Sequence, residues 1–337
     1  MESNKIRAGY HEASKKILIP ISFGVSSLAL LHILDAHVQK RSQQGRHGGY
    51  SIHLLSINED VTLDIKHISK GVALLKELFP LYDLSIIPLQ DCFTYGIEVD
   101  KLLDRRREET KERPMESSQR LQYVLAAAGS PSSKDDILDT LRRRLICAFA
   151  EQQGFDFILF GDTTTRLAEK ILAQTAKGRG SSASLSNADA IVVPGVPYIF
   201  PMRDLLRKEV QMYIESTELP LDSVLVKKDI SSAAFSLKNM SIDGLMSQYI
   251  ESVEENYPSI VSNVVRTTLK LRVPDVFETS TRCGVCLAPI EASNMKAADG
   301  EQQLLKGGPD RSSQAPHVCY GCERTFDLHE TFISQPP

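Results

Sequence analysis

An α/β fold, a parallel sheet covered by helices on both faces, follows from three features of the sequence. Strand-like aliphatic runs alternate with helix-like apolar stripes over roughly the first 200 residues, the order that generates parallel crossovers. At Lys16 to His37, a mostly β-branched run (Ile17, Leu18, Ile19, Ile21) passes through a short Ser/Gly loop at 22–27. A stripe at Leu28, Leu31 and Leu34 follows at once. The same sequence of events recurs at Phe155 to Phe160, where a buried strand leads into Gly161-Asp162 and then a helix. In such sheets ligands sit beyond the C-terminal strand ends, near a topological switch point, so these two loops form the candidate site.

The other elements fall between these landmarks. Gln39 to Gly49 is polar and reads as an exposed loop, Ser51 to Ile57 as a second strand. A helix is predicted over about 63–78, with its stripe at Ile65, Ile68, Val72 and Leu75, followed by a third strand at Asp83 to Leu89. Asp104 to Ser118 is densely charged and reads as a solvated helix or loop. Ser133, with Asp136 three residues on, resembles a capping box that opens a helix running to about Gln152. A helix from Thr163 to Lys177 follows the Phe155 strand. Arg179 to Ser186 has too little apolar content to pack, and helices are predicted again at Leu205 to Tyr213, Ile242 to Tyr257 and Ile260 to Leu271. This divides the chain into an α/β domain (1–215), a helical extension (216–275) and a cysteine-bearing region (276–337).

Composition excludes several classes. With 337 residues, 42% hydrophobic, the chain can bury one large core or a core with a satellite. The net charge of −4 rules out a polycation, so any contact with RNA must come from local basic patches. No apolar run is long enough to span a bilayer, and the first residues lack the order of a signal peptide. The chain therefore reads as soluble and intracellular, where thiols stay reduced.

In that compartment the pairs Cys283-Gly-Val-Cys286 and Cys319-Tyr-Gly-Cys322 point to a metal rather than to disulfides. Each C-x-x-C folds as a knuckle whose two thiolates point the same way. Two knuckles complete a tetrahedral shell around Zn²⁺, and a shell filled by four thiolates is structural. The polar insert Ala292 to Ala315 accounts for the 32 residues between the pairs. An iron–sulfur cluster is the competing occupant. Cys92 and Cys147 have no base or resolving thiol nearby in sequence and read as packing residues, and the eight histidines show no ligand spacing.

The loop Ser22-Phe23-Gly24-Val25-Ser26-Ser27 has two readings. It could be an ordinary strand-to-helix turn. It could also be a degenerate pyrophosphate loop of the S-G-G-x-D-S type, in which the helix N-terminus and glycines receive the phosphates and the Asp helps hold Mg²⁺. Ser22, Gly24, Ser26 and Ser27 are then the nucleotide-binding candidates. On that reading Phe23 restricts the approach of the backbone, and Ser26 brings no charge to the metal.

Pyrophosphate-loop enzymes that thiolate tRNA carry patterns resembling C-G-x-F-R-R and G-H-N-x-D-D-x-A-E. Here Leu138-Asp139-Thr140-Leu141-Arg142-Arg143 lines up with the first, and Gly161-Asp162-Thr163-Thr164-Thr165-Arg166-Leu167-Ala168-Glu169 with the second. The arginines, Gly161 and Ala168-Glu169 are kept. The cysteine position is Leu138, and the acidic pair is Thr165-Arg166. Together with AKGRG (176–180), YIFPMRDLLRKE and the two cysteine pairs, these stretches resemble the cytoplasmic tRNA 2-thiolation protein 2 family, the degenerate member of a thiolating heterodimer. The family usually has further cysteines before the first strand. The chain is consistent with one shortened at its N-terminus.

What the resemblance implies is a pyrophosphate-loop (adenine nucleotide α-hydrolase-like) fold with a C-terminal zinc ribbon. The function it implies is a non-catalytic or weakly catalytic subunit of the cytosolic 2-thiolation complex. The active sister subunit adenylates wobble uridine with ATP, and sulfur comes from a thiocarboxylated ubiquitin-related modifier. The partners are then that subunit, tRNA and the modifier pathway, with no membrane. Whether the loop here binds ATP stays open. The candidate tRNA contacts are basic: Arg142, Arg143 and Arg144, Lys177 with Arg179 on the GRG loop as the first choice, Arg203 with Arg207 and Lys208, and Lys227-Lys228. An ATP-dependent adenylating sulfurtransferase in its own right and a zinc-ribbon interaction scaffold are the two rival functions.

Overall fold

The computed structural model describes residues 15–44, 49–59, 65–100, 115–180, 183, 195–217, 219–221, 224–225, 240–271, 282–290 and 317–326. Five parallel strands form one sheet in the order β3-β2-β1-β4-β5: β1 Lys15–Pro20, β2 Tyr50–Asn58, β3 Asp83–Pro88, β4 Phe157–Leu159 and β5 Tyr198–Ile199. The chain steps outward from β1 to β3, then returns to pair β4 on the other side of β1. The switch point therefore lies between β1 and β4, and the Ser22 loop and the loop after Phe160 lie side by side there, as the sequence predicts.

Both faces of the sheet are covered, and the period-2 alternation of strand residues accounts for it. Leu18, Leu55 and Ile158 belong to one buried cluster, while their neighbours Ile19, Leu54 and Leu159 belong to the other. The second cluster is roofed by α1 (Val25–Gln43), α2 (Ile65–Leu78) and α6 (Arg207–Glu215), through Leu28, Leu31, Leu75, Val210 and Ile214. The first is roofed by α3 (Ser117–Ala126), α4 (Pro131–Gln152) and α5 (Thr164–Ala176). The hairpin α7 (Ile242–Asn256) and α8 (Pro258–Lys270) lies on α5, and the short α9 (Tyr320–Thr325) lies on α4. Ile250 and Val261 of the hairpin and Val285, Cys322 and Phe326 of the tail sit in the same cluster as α4 and α5. The three segments drawn from sequence thus share a core.

Some local expectations change. α4 is capped by Ser130, whose Oγ accepts from Ser133 N at 3.1 Å, with Pro131 in the first turn. Ser133 is therefore inside the helix, and Asp136 faces inward rather than completing a capping box. The two-residue β5 is too short to show a period in sequence. The charged stretch 104–114, the insert 292–315 and Lys227-Lys228 lie outside the described residues.

Candidate functional site: a switch-point loop and a four-cysteine centre

β1 ends against Leu55, whose carbonyl accepts from Ile21 N, and the chain then turns sharply into α1. Phe23 makes that turn with φ +54°, a left-handed conformation that costs a non-glycine residue about 1 kcal/mol. Its ring is 3% exposed and lies in the α1/α2 cluster beside Gly71, and burial of a Phe side chain, about 2 kcal/mol, offsets the strain. This corrects the expected role of Phe23. The ring is sunk beneath the loop and does not obstruct it.

Gly24 is the N-cap of α1 and no side chain caps the helix. Ser27 Oγ donates to Gly24 O at 2.9 Å and lies 3.4 Å from Ser22 Oγ, so these hydroxyls bind within the loop. Ser22 is exposed and Ser26 half-buried. Gly161, at the end of β4, explains its own identity: a Cβ there would lie 3.0 Å from Ser27 Cα and 3.1 Å from Ser27 N. The two loops touch through backbone, which only glycine permits.

The charged groups around this crevice are mutually paired. Asp162 accepts from Lys170 at 2.7 Å, Arg142 binds Asp139 at 2.9 Å and also Glu59, and Glu169 holds both Arg166 (2.8 Å) and Arg207 (2.6 Å). Burial works to raise the Asp139 carboxyl, but Arg142, Lys170 and Arg143 outweigh it and hold it well below the ordinary carboxylate range. Arg143 hydrogen-bonds Tyr198 on β5. Arg203, half-buried, follows β5, and Lys208 is exposed on the first turn of α6. Of the basic candidates, Lys208 keeps an exposed side chain at this rim.

Lys177 and Arg179 are placed otherwise than expected. Arg179 is 6% exposed and binds Asp136 through two parallel bonds, Nη1 to Oδ1 at 2.8 Å and Nη2 to Oδ2 at 2.6 Å. Lys177 Nζ reaches the same carboxylate at 2.9 Å and Asp243 of α7 at 2.9 Å. Thr325 Oγ1 donates to Asp136 Oδ2 at 2.8 Å. The glycine beside Lys177 serves packing: Gly178 has φ +80°, and a Cβ there would lie 2.9 Å from the Tyr320 ring. The GRG run is an internal lock, because the Asp136 carboxylate attracts both cations inward more strongly than solvent does.

Arg179 leads directly to the cysteines, with Nη2 3.4 Å from Cys322 Sγ. The four Sγ atoms of Cys283, Cys286, Cys319 and Cys322 lie within 4.8 Å of one another, and Cys286 and Cys319 are 3.7 Å apart. A tetrahedral shell with metal–sulfur bonds of about 2.3 Å places its sulfurs about 3.8 Å apart, so the donor set fits a single ion. A cubane cluster puts each thiolate on a different iron and needs a wider spread. The first knuckle is closed by Cys283 N to Ala288 O and Leu287 N to Cys283 O, both 2.9 Å, and Cys319 N donates to Cys283 Sγ at 3.3 Å. Arg144 of α4 donates to the Gly284 and Val285 carbonyls at 2.8 and 3.1 Å. A dicationic metal with four thiolates carries two net negative charges, and Arg144 and Arg179 stand beside them. The partners of Asp136, Arg144 and Thr325 lie scores of residues away, so no local sequence signal marks these roles.

The two other thiols are poor nucleophiles. Burial pushes Cys92 up to about 12 and Cys147 up to about 11. Both stay protonated at neutral pH. Both thiols are expected to resist iodoacetamide in the native protein at neutral pH and to react once it is unfolded, as mass spectrometry of the labelled protein reads. Labelling of either thiol in the native protein would give it a chemical role.

A parallel sheet with its loop pair at the switch point, joined to four clustered cysteines able to hold a metal ion, defines the class. The fold is shared with a solved tRNA thiolase. The solved U34-tRNA thiolase NcsA from Methanococcus maripaludis, a structure with its [4Fe-4S] cluster, superimposes with a TM-score of 0.52 at 14% identity, covering 81% of this chain and 80% of that one. The family model for cytoplasmic tRNA 2-thiolation protein 2 matches residues 241–324, from the start of α7 to the second knuckle. The relative of that name from Phaeosphaeria nodorum is 36% identical over 99% of this chain and 87% of its own length. That from Coccidioides immitis is 33% identical over 97% and 88%. The chain belongs to the cytoplasmic tRNA 2-thiolation protein 2 family.

Proposed function

We propose that this protein is a non-catalytic subunit of the cytoplasmic complex that converts wobble uridine of the Lys, Glu and Gln tRNAs to its 2-thio form. It contributes tRNA-binding surface and a docking face for an active sister subunit. That subunit adenylates the base, and a thiocarboxylated ubiquitin-related modifier supplies the sulfur. One observation carries the passive role. The loop at α1 has no carboxylate to help hold Mg²⁺, and the nearby acids Asp139, Asp162 and Glu169 are each bound to Arg or Lys. Phosphoryl and adenylyl chemistry depends on metal and cationic groups directed at the phosphates, which such internal pairing does not offer. Lys208 and Arg203, beside the loops, are the phosphate-contact candidates that the fold favours over Lys177 and Arg179.

At the C-terminus we assign a structural zinc to Cys283, Cys286, Cys319 and Cys322. It would hold the two knuckles together and would take no part in sulfur transfer. Among the described residues no helix is long and apolar enough to cross a membrane.

Deleting the gene and rescuing with a Ser22/Gly24/Ser27 triple alanine variant tests the reading. Full recovery of wobble thiolation is the expected result. Failed rescue at normal protein levels, together with ATP–pyrophosphate exchange by the isolated wild-type chain, would make the protein an enzyme instead.

A further inference from the structure

Among the described residues, a second buried polar arrangement, separate from the Asp136 network, lies where α7 crosses the start of α5 and α6. Thr165, on the first turn of α5, is fully buried, and Glu254 of α7 is 4% exposed. Thr165 Oγ1 donates to Glu254 Oε2 at 2.6 Å and accepts from Arg207 N at 2.9 Å. Glu254 Oε1 accepts from Lys208 N at 3.3 Å. Arg207 N and Lys208 N are among the N–H groups that α6 cannot satisfy internally, and a helix N-terminus favours a negative charge. Arg166 and Arg207 flank the position, sharing Glu169. A carboxylate from a helix far along the chain thus sits where an external oxyanion would be received.

We propose that Glu254 is the resident anion of the α6 N-terminus: it fastens the α7–α8 hairpin to the α/β body and keeps the position closed to phosphate. Thr165 and Glu254 are a matched pair, hydroxyl donor against carboxylate acceptor. Against the pattern G-H-N-x-D-D-x-A-E that Gly161 to Glu169 resembles, Thr165 stands at the first position of the acidic pair. An Asp at 165 would set one carboxylate against another at hydrogen-bonding distance, with no donor between them. An acid at 165 therefore destabilises the hairpin in this geometry, because the two carboxyls could pair only by one of them keeping its proton. Restoring the acid is not a one-residue change.

Two measurements on the full-length protein test this. First, E254A is expected to melt below wild type and to regain about 3 °C or more in saturating inorganic phosphate. Sodium chloride at matched ionic strength should not substitute, the wild type should not respond, and E254A/R207A should lose the response. Equal phosphate shifts in E254A and wild type overturn the proposal. Second, T165D is expected to melt below wild type, and adding Glu254→Gln, which supplies an amide donor, should recover most of the loss. A T165D protein as stable as wild type, or one that Glu254→Gln does not rescue, overturns the matched pair. The second comparison decides alone if E254A does not fold.

Discussion

Asp136→Asn is expected to lower the melting temperature by about 6 °C or more and to shift the urea midpoint without changing the slope. Asp136 is 3% exposed and takes four donors: Lys177 and Arg179 Nη1 on Oδ1, Arg179 Nη2 and Thr325 on Oδ2. Those donors come from the end of α5 and from α9, and Lys177 extends the link to Asp243 of α7. One carboxylate therefore ties the α/β body to the helical hairpin and to the cysteine centre. Removing its charge leaves two cations, 8% and 6% exposed, without their main counter-ion. Breaking a buried pair on one side costs about 3–5 kcal/mol, and a protein of this size loses about 2–4 °C per kcal/mol. Asp243→Asn is the control. That carboxylate is partly in solvent, so its loss should cost about 1 kcal/mol or less. Equal costs for the two variants would remove Asp136 from its central position.

The same site predicts a pH dependence. Burial would raise the Asp136 carboxyl, but Arg179 and Lys177 prevail and hold it below its ordinary value. Its contribution is then complete above the unfolded carboxylate value of about 3.9, and is lost as the pH falls below it. The acid limb of wild-type stability should be steeper than that of Asp136→Asn.

Removing the metal should have the larger effect. Structural zinc binds finger peptides with an apparent free energy of about 10–16 kcal/mol, all of it coupled to folding. Here the centre is no appendage, because Cys283, Val285, Cys322 and Phe326 share a buried cluster with Leu141 and Leu145 of α4. Purified protein is expected to carry one equivalent of zinc. Chelation or Cys322→Ser should lower the melting temperature by about 10 °C or more and open α4 to hydrogen exchange, not only 282–290 and 317–326. Cys147→Ser serves as control, since that thiol is not part of the centre. Retention of metal and stability by Cys322→Ser would end the assignment. Release of iron with loss of visible absorbance would replace zinc by a cluster.

Much of the site could be read locally. The strand–loop–helix at Ser22 and the two C-x-x-C pairs are contiguous signatures, and each folds largely through its own neighbours. Phe23 was legible as a departure from a glycine loop, yet the direction of its ring was not, because that depends on Gly71 and the α1/α2 packing. Lys177 and Arg179 looked like surface cations for the same reason. Their counter-ion precedes them by some forty residues, and a charge run has no signature that tells a solvated face from a buried lock.

From its sequence alone this chain determined a parallel α/β sheet with a loop pair at the switch point and a cluster of four cysteines. Periodicity and short spacings encode these, and both act through neighbours along the backbone. Only the tertiary structure decided which charges face solvent, what fills the start of α6 and what holds the cysteine centre to the sheet. Those outcomes depend on pairs far apart in the chain, and burial makes an ion pair's geometry, not its residue types, set its strength.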